Sequence, residues 1–180
     1  VSQAQRAGSA GEIEWLHWGG DPGGMKYTPL TDINADNVGR LELAWQWKHW
    51  ETPLDEYKTI PGFFESTPLM IDGVLYVTPP SGSTARLAAE TGKELWRFDG
   101  EGYKLGQVLS GSGFKHRGPA FWRDGNQLRI VMNSRHRLVS LDARTGKPVP
   151  SFAANGFLPL TEGPHISQSS PPTIYKDLII

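Results

Sequence analysis

The 180-residue sequence contains no cysteine, which excludes disulfides, thiolate zinc sites and a cysteine nucleophile. The absence fits an oxidising compartment and a reducing one equally well. An excess of positive charge is also missing, because 18 Lys and Arg residues face 19 Asp and Glu residues. Nucleic-acid binding requires concentrated positive charge, so we expect no nucleic-acid partner. No run of 18 apolar residues occurs, so we expect no membrane span in this part.

Proline and glycine are abundant, with 14 and 21 residues, and this content favours a turn-rich β fold. The first ten residues, VSQAQRAGSA, are small and polar. They fit either a mature terminus after signal cleavage or a disordered lead-in, and we expect residues 1–14 to be poorly ordered. The last residues, Leu178 to Ile180, read as a buried strand that breaks off. We therefore expect residues 15–180 to be the N-terminal portion of a longer domain.

A repeated hairpin pattern organises the chain. The segments are STPLMIDGVLYV from Ser66, RGPAFWRDGNQLRIVM from Arg117 and SSPPTIYKDLII from Ser169. Each has proline, an apolar run, a tight turn and a second apolar run, the pattern of a β-hairpin. The turns are predicted at Asp72-Gly73, Asp124-Gly125 and Lys176-Asp177, at intervals of 52 and 53 residues counted on the aspartates.

A second landmark has nearly the same period, since Thr91-Gly92-Lys93 recurs as Thr145-Gly146-Lys147. Each unit then contains a hairpin, a third strand, a Thr-Gly turn and a closing strand such as ELWRF. Four strands per unit predict the antiparallel blades of an all-β propeller. About three to four blades fit in the chain, and blades bury their faces only against neighbours. The incomplete ring should therefore be poorly stable alone.

An alternating segment precedes the first complete unit. Leu41, Leu43, Trp45 and Trp47 alternate with polar residues or alanine, which predicts a half-buried strand that closes another blade. The tryptophans Trp45, Trp47 and Trp96 could stack on a cofactor, but their positions at strand ends favour packing between blades.

The chain resembles quinoprotein dehydrogenases of the membrane-bound glucose dehydrogenase and methanol dehydrogenase superfamily. The resemblance lies in WLHWGGDPGGMKYTPLTDINADNVGRLELAWQW from Trp15, FFESTPLMIDGVLYV from Phe63, AAETGKELWRF from Ala88, HRGPAFWRDG from His116 and LVSLDARTGKPVPSF from Leu138. It implies an eight-bladed propeller with pyrroloquinoline quinone (PQQ) on its axis and a calcium ion beside it. The catalytic carboxylate and the calcium ligands would lie beyond Ile180, so we expect the fragment itself to be inactive.

The resemblance also implies a periplasmic enzyme, with or without an inner-membrane anchor in the full-length protein. It would oxidise a sugar, polyol or alcohol and pass electrons to a respiratory acceptor, either ubiquinone or cytochrome c. The rival hypothesis is a cofactor-free propeller that acts as a scaffold or assembly protein. Such a scaffold shares the Thr-Gly turns but does not need charged side chains converging on the axis.

Two charged residues match cofactor ligands of that family. Glu65 precedes the first hairpin and matches a glutamate that contacts the quinone, although a surface glutamate is the alternative. Arg117 lies 52 residues further on and matches an arginine that pairs with a quinone carboxylate. The alternative for Arg117 is an ion pair between blades. A guanidinium suits the quinone because it offers two donors in a fixed fork.

The third unit begins with hydroxyl groups at the equivalent place. Ser167, Ser169 and Ser170 are candidates for the hydroxyl that the family offers to a quinone carboxylate, with ordinary loop serines as the alternative. Alternate residues point to opposite faces, so the sequence does not decide which serine faces the axis. His116 is interpreted as a loop histidine.

Three departures from the family pattern are present. Alcohol dehydrogenases of the family carry adjacent cysteines where this chain has Gly111-Ser112-Gly113, which favours the glucose or polyol branch. Ala88 replaces the aspartate seen at Asp142, and Pro150 replaces the tryptophan seen at Trp96.

Overall fold

The fold is known from a computed structural model, which describes residues 14–108, 113–160 and 168–180. These residues form ten strands and three short 3-10 helices, Val38–Arg40, Asp55–Tyr57 and Gly102–Leu105. The strands are β1 Leu69–Ile71, β2 Val74–Val77, β3 Thr84–Ala88, β4 Glu94–Phe98, β5 Ala120–Asp124, β6 Gln127–Ser134, β7 Arg137–Asp142, β8 Phe157–Pro159, β9 Ile174–Tyr175 and β10 Leu178–Ile179. The predicted all-β class is confirmed.

The strands form two four-stranded antiparallel sheets, ordered β1-β2-β3-β4 and β5-β6-β7-β8, and a third hairpin, β9-β10. These sheets are the first and second blades, and the hairpin begins a third. The predicted four-stranded blades of an incomplete ring are therefore confirmed. No described helix is long and apolar enough to cross a membrane.

Two-residue turns connect the first two strands of each unit. Asp72 and Gly73 both have positive φ, 51° and 72°, the combination that matches the twist of a hairpin. Lys176-Asp177 connects β9 to β10 as predicted. The prediction for the second unit was one residue early, because Asp124 pairs with Gln127 and the turn is Gly125-Asn126. Gly125 supplies the positive φ, 51°, that this turn needs.

The predicted strand over Leu41 to Trp47 is absent. The segment has no ladder partner among the described strands, and Leu41 and Leu43 are exposed. The predicted alternation is seen only in side-chain exposure, since Trp45 and Trp47 are half-buried and Gln46 is exposed.

The main core lies between the first two blades. Leu69, Ile71 and Tyr76 of the first blade pack with Ile130 and Met132 of the second. The opposite face of the first blade presents Val77, Ala85 and Leu87 to Trp47 and Trp50. The pleat explains this division, because successive side chains of one strand point to opposite faces.

Two indoles dock on the Thr-Gly turn of the following unit. Trp45 Nε1 donates to the Ala89 carbonyl at 2.9 Å, and Trp96 Nε1 donates to the Ala143 carbonyl at 3.1 Å. A Cβ atom at Gly92 would lie 2.4 Å from the Trp45 ring, and one at Gly146 would lie 2.6 Å from the Trp96 ring. Tryptophan packing between blades, predicted from the sequence, is found for Trp96, and Trp45 docks in the same way from a segment that forms no strand.

Antiparallel pairing decides which loops share an edge. The loops that enter β1 and β5 lie at the same edge as the β2–β3 and β6–β7 connections. We call this edge, formed by residues 61–68, 78–83, 99–108, 113–119 and 135–136, the entry edge. The candidate site residues of the first two blades lie there.

Candidate functional site

Hydrogen bonds join the starts of three successive units. The Arg117 amide donates to the Ser169 carbonyl at 2.9 Å, and the Thr67 amide donates to the Arg117 carbonyl at 3.1 Å. The Arg117 side chain follows its backbone, with Nη1 donating to Ser169 Oγ at 2.7 Å. Residues 50 and 52 positions apart in sequence are thus side by side.

Gly118 makes the close approach between the first two blades possible. Its φ is 133°, and a Cβ atom there would lie 2.6 Å from the Thr67 carbonyl oxygen. Any side chain would push the arginine loop away from the first blade. Gly118 therefore allows the loop that carries the Arg117 guanidinium to pack closely against the first blade.

Glu65 lies beside a second cation that sequence reasoning missed. Lys115 Nζ donates to Glu65 Oε1 at 2.8 Å, and the two side chains are 22% and 34% exposed. The hydrogen bond from Lys115 lowers the pKa of Glu65, burial partly opposes this, and the charges of Lys115 and Arg117 lower it further. The partners lie 50 residues apart, so no local pattern could have revealed the pair.

His116 lies in the loop that enters β5, and its side chain is buried. Its Nδ1 accepts from the Gly118 amide at 3.3 Å, and its Nε2 donates to the Asn133 carbonyl at 2.9 Å. Burial lowers the pKa of His116 to about 4, although the hydrogen bond to Asn133 opposes the shift. The neutral ring therefore holds the loop that carries Arg117 against β6.

The candidate serines have different surroundings. Ser169 accepts from Arg117 through Oγ, and its hydroxyl hydrogen is left to donate to a further group. Ser170 is held through its backbone, because its carbonyl accepts from Asn133 Nδ2 at 2.7 Å. Ser167 lies outside the described residues. The assignment of Glu65, Arg117, Ser167 and Ser169 as cofactor ligands stays a prediction.

A cavity borders Arg117. Its walls come from β5 and the third hairpin, and its remaining side is the segment that begins at Leu16. That segment lies along the free edge of β1, where Trp15 pairs with Met70. His17 lines the cavity and has a buried Nε2 without a partner among the described residues. The histidine lies outside the repeats, so the sequence did not single it out.

The hydrogen-bond donors of the candidate site suit an anionic ligand that carries carboxylates. Arg117 and Lys115 are cationic, Glu65 is anionic, and Ser169 has a hydroxyl hydrogen available. Charge-assisted hydrogen bonds from such groups are the strong ones for carboxylates. The residues present therefore fit a quinone with several carboxylates. No cluster of three or more His, Asp or Glu residues able to hold a metal occurs in the described ranges. The calcium ion stays a prediction.

Comparisons with known proteins agree with this architecture. Residues 15–180 match a family model described as the β-propeller domain of PQQ-dependent glucose, ethanol and alcohol dehydrogenases. The quinohemoprotein alcohol dehydrogenase ADH IIB of Pseudomonas putida is 35% identical over 136 residues, covering 76% of this chain and 18% of that protein. A 1-butanol dehydrogenase (cytochrome c) of Thauera butanivorans is 34% identical over 137 residues, with the same two coverages.

Solved structures share the fold. The crystal structure of quinohemoprotein alcohol dehydrogenase from Comamonas testosteroni superposes with a TM-score of 0.70 at 24% identity. The match covers 92% of this chain and 22% of that protein. This chain thus spans about a fifth of the length of the proteins it resembles.

Proposed function

Because the chain belongs to the β-propeller family of PQQ-dependent glucose, ethanol and alcohol dehydrogenases, we propose that the full-length protein is a quinoprotein alcohol dehydrogenase. The observation that supports the proposal is the pairing of Arg117 with Ser169 between neighbouring units. Blades bring loops from distant parts of the sequence to one cavity, which suits a buried cofactor.

Each candidate residue has a separate role in this proposal. Arg117 binds a carboxylate of PQQ through its guanidinium, and Ser169 donates its hydroxyl hydrogen to the same ligand. Glu65 orients the cofactor from the first blade, and Ser167 is a further candidate donor. Bound PQQ supplies the electron-accepting chemistry, while the protein supplies position and charge.

The substrate class proposed is an alcohol, in agreement with the activities named for the relatives. A glucose or polyol substrate is the second candidate, favoured by Gly111-Ser112-Gly113 where the alcohol branch has adjacent cysteines. The test measures PQQ-dependent dye reduction by the full-length protein with ethanol, 1-butanol, glycerol and glucose. Turnover of ethanol and 1-butanol alone supports the alcohol class, and turnover of glucose or glycerol alone supports the second candidate.

Further properties are proposed on the same basis. We propose that electrons pass to a respiratory acceptor, ubiquinone or cytochrome c, because a 33% identical relative from Gluconobacter oxydans is named an alcohol dehydrogenase (quinone) and the Thauera butanivorans relative is named for cytochrome c. We also propose a periplasmic location and a calcium ion whose ligands lie beyond Ile180. Chelation of calcium should then abolish activity, and added calcium should restore it. Activity that survives exhaustive chelation would argue against the metal.

The scaffold hypothesis is tested by the arginine. Arg117→Ala in the full-length apo-protein should weaken PQQ binding, because a buried carboxylate would lose its charged partner. Removing one member of a buried pair costs roughly 3–5 kcal/mol, which is about a hundredfold or more in Kd. The measurement is a PQQ titration followed by tryptophan fluorescence.

Arg123→Ala is the matched control for this experiment. Arg123 forms an exposed ion pair with Asp72 at the opposite edge of the blades, with Nη2 and Oδ2 2.8 Å apart. Its loss should leave PQQ affinity unchanged. Equal affinities of wild type and Arg117→Ala would make Arg117 a structural residue between blades, and a wild type that binds no PQQ would favour the cofactor-free scaffold.

A further inference from the structure

Lys115 and Glu65 form a cross-blade ion pair beside the proposed cofactor site. Two of the other described ion pairs, Arg97 with Glu94 and Lys104 with Glu101, join residues three positions apart in sequence. Lys115 instead joins the loop entering the second blade to the loop entering the first. Both of its side chains are less exposed than those of the remaining long-range pair, Arg123 with Asp72, which are 38% and 59% exposed.

The position of Lys115 determines what Glu65 can bind. Arg117 also faces Glu65 closely enough for its charge to lower the pKa of that carboxyl. Without Lys115, the Glu65 carboxylate would have Arg117 as its remaining cationic partner. The guanidinium would then be drawn from Ser169 towards Glu65, away from the ligand carboxylate that it is proposed to bind. Lys115 prevents Arg117 from pairing with Glu65 because it forms that ion pair itself.

The net charge of the three groups points the same way. Lys115, Arg117 and Glu65 together carry one positive charge, whereas Arg117 and Glu65 alone carry none. An anionic ligand needs the positive balance in a partly desolvated site, where charges interact more strongly than in water. The lysine thus neutralises the Glu65 carboxylate, so that the charge of Arg117 stays available to the ligand.

We propose that Lys115 is a positioning residue of the cofactor site, which holds Glu65 in place and leaves Arg117 available for a ligand carboxylate. This inference rests on the proposed function, since the ligand is PQQ. Lys115 does not itself need to touch the quinone. It acts through Glu65, and that property separates it from a residue that serves only the fold.

The test is a double-mutant cycle on PQQ affinity in the full-length apo-protein. Lys115→Met should raise the Kd about tenfold, the size of one charge-assisted hydrogen bond. Lys115→Arg, which keeps the charge and a donor, should restore affinity to within about threefold of wild type. In a Glu65→Gln background, Lys115→Met should change the Kd by less than about threefold, because the residue at position 65 is then already neutral.

A pH profile supplies a readout that a purely structural role would not change. A change in Kd with pH that is present in wild type and absent in Glu65→Gln reports the titration of the Glu65 carboxyl. The pKa of this carboxyl is held below its ordinary 4.5 chiefly by the Lys115 hydrogen bond. Lys115→Met should move this step to higher pH, while Arg117 still faces the group. Lys104→Met is the matched control, because it removes an ion pair at the same edge that is 45% and 48% exposed.

The outcomes separate the inference from the function on which it rests. If wild type does not bind PQQ, the proposed function is wrong and the inference is overturned with it. If wild type binds PQQ and Lys115→Met binds equally well, the inference alone is overturned. An equal loss in the wild-type and Glu65→Gln backgrounds, with an unmoved pH step, would also overturn it, because Lys115 would then not act through Glu65.

Discussion

The first and second blades have the same strand order but close in different ways. In the second blade, Asp142 Oδ1 accepts hydrogen bonds from the amide and the hydroxyl of Thr145, both at 2.7 Å. In the first blade the equivalent position is Ala88, which has no side-chain acceptor. The backbone of the turn is nevertheless the same, since Gly92 donates to the Ala88 carbonyl and Gly146 donates to the Asp142 carbonyl. The aspartate therefore adds to a turn that the backbone and glycine already form.

The outer strands also differ. In the first blade β4 follows the Thr-Gly turn immediately, over Glu94–Phe98. In the second blade Pro148 forms an isolated bridge with Leu141, and β8 begins only at Phe157. Proline has no amide hydrogen for a ladder, so Pro148 and Pro150 interrupt the strand there. The docked indole and the glycine are therefore common to the two blades, whereas the cap and the outer strand vary.

Gly146→Ala should have the largest effect on stability, because it alters the contact between a glycine and an indole that both blades have. The residue combines φ of 71° with a Cβ position 2.6 Å from the Trp96 ring. Left-handed strain and overpacking together should cost about 2–4 kcal/mol. Gly73→Ala is the control, since its φ of 72° is the same and no atom lies within 4 Å of the added Cβ. The urea midpoint of the full-length protein measures both, and equal shifts would show that the indole contact is unimportant.

Asp142→Ala should make the second turn resemble the first. It removes two hydrogen bonds to a half-buried carboxylate, and the expected loss is about 1–2 kcal/mol. Burial by itself would raise the pKa of Asp142, but hydrogen bonds from Thr145 and the charge of Arg144 hold it below its ordinary 3.8. Because the pKa of Asp142 is lowered in the folded state, the stabilisation is fully present above 3.8 and is lost as pH falls through the lower folded pKa, so the difference between wild type and variant should shrink over that range. Urea unfolding at several pH values checks this, and a difference that persists in acid would contradict it.

Trp96→Phe and Trp45→Phe should have similar, smaller effects. Each removes one indole hydrogen bond to a backbone carbonyl, at 3.1 Å and 2.9 Å respectively, and keeps an aromatic ring over glycine. A neutral hydrogen bond contributes about 0.5–1.5 kcal/mol. Thermal unfolding of the two variants tests the equivalence of the docking contacts. A clearly larger loss for one of them would show that the blades depend on the indole unequally.

Ala88→Asp should have the smallest effect and the opposite sign. The new carboxylate would be placed to accept from Thr91 as Asp142 accepts from Thr145, with an expected gain of about 0.5–1 kcal/mol. Ala88→Asn tests whether the charge is needed. A loss of thermal stability with the aspartate would mean that the first turn lacks room for the cap.

Sequence reasoning was most accurate where a pattern repeats. The repeat period predicted the blades, the hairpins and the indole docking, because each unit packs against its neighbour through the same kinds of contact. It failed at Leu41 and Leu43, where alternation was present but a pairing strand was not. It also placed Arg117 and Ser169 in equivalent positions, and the structure makes them neighbours. Lys115 and His17 were missed, because neither repeats and their surroundings come from distant parts of the chain.

The backbone bonds that join Thr67, Arg117 and Ser169 have a consequence for how such a site can evolve. They depend on amides and carbonyls, so the spacing between neighbouring units does not depend on which side chain occupies each position. A mutation there changes the chemical group at the junction of the units while its location is preserved. Each blade therefore provides one exchangeable position, and new ligand preferences can arise one residue at a time without redesign of the scaffold.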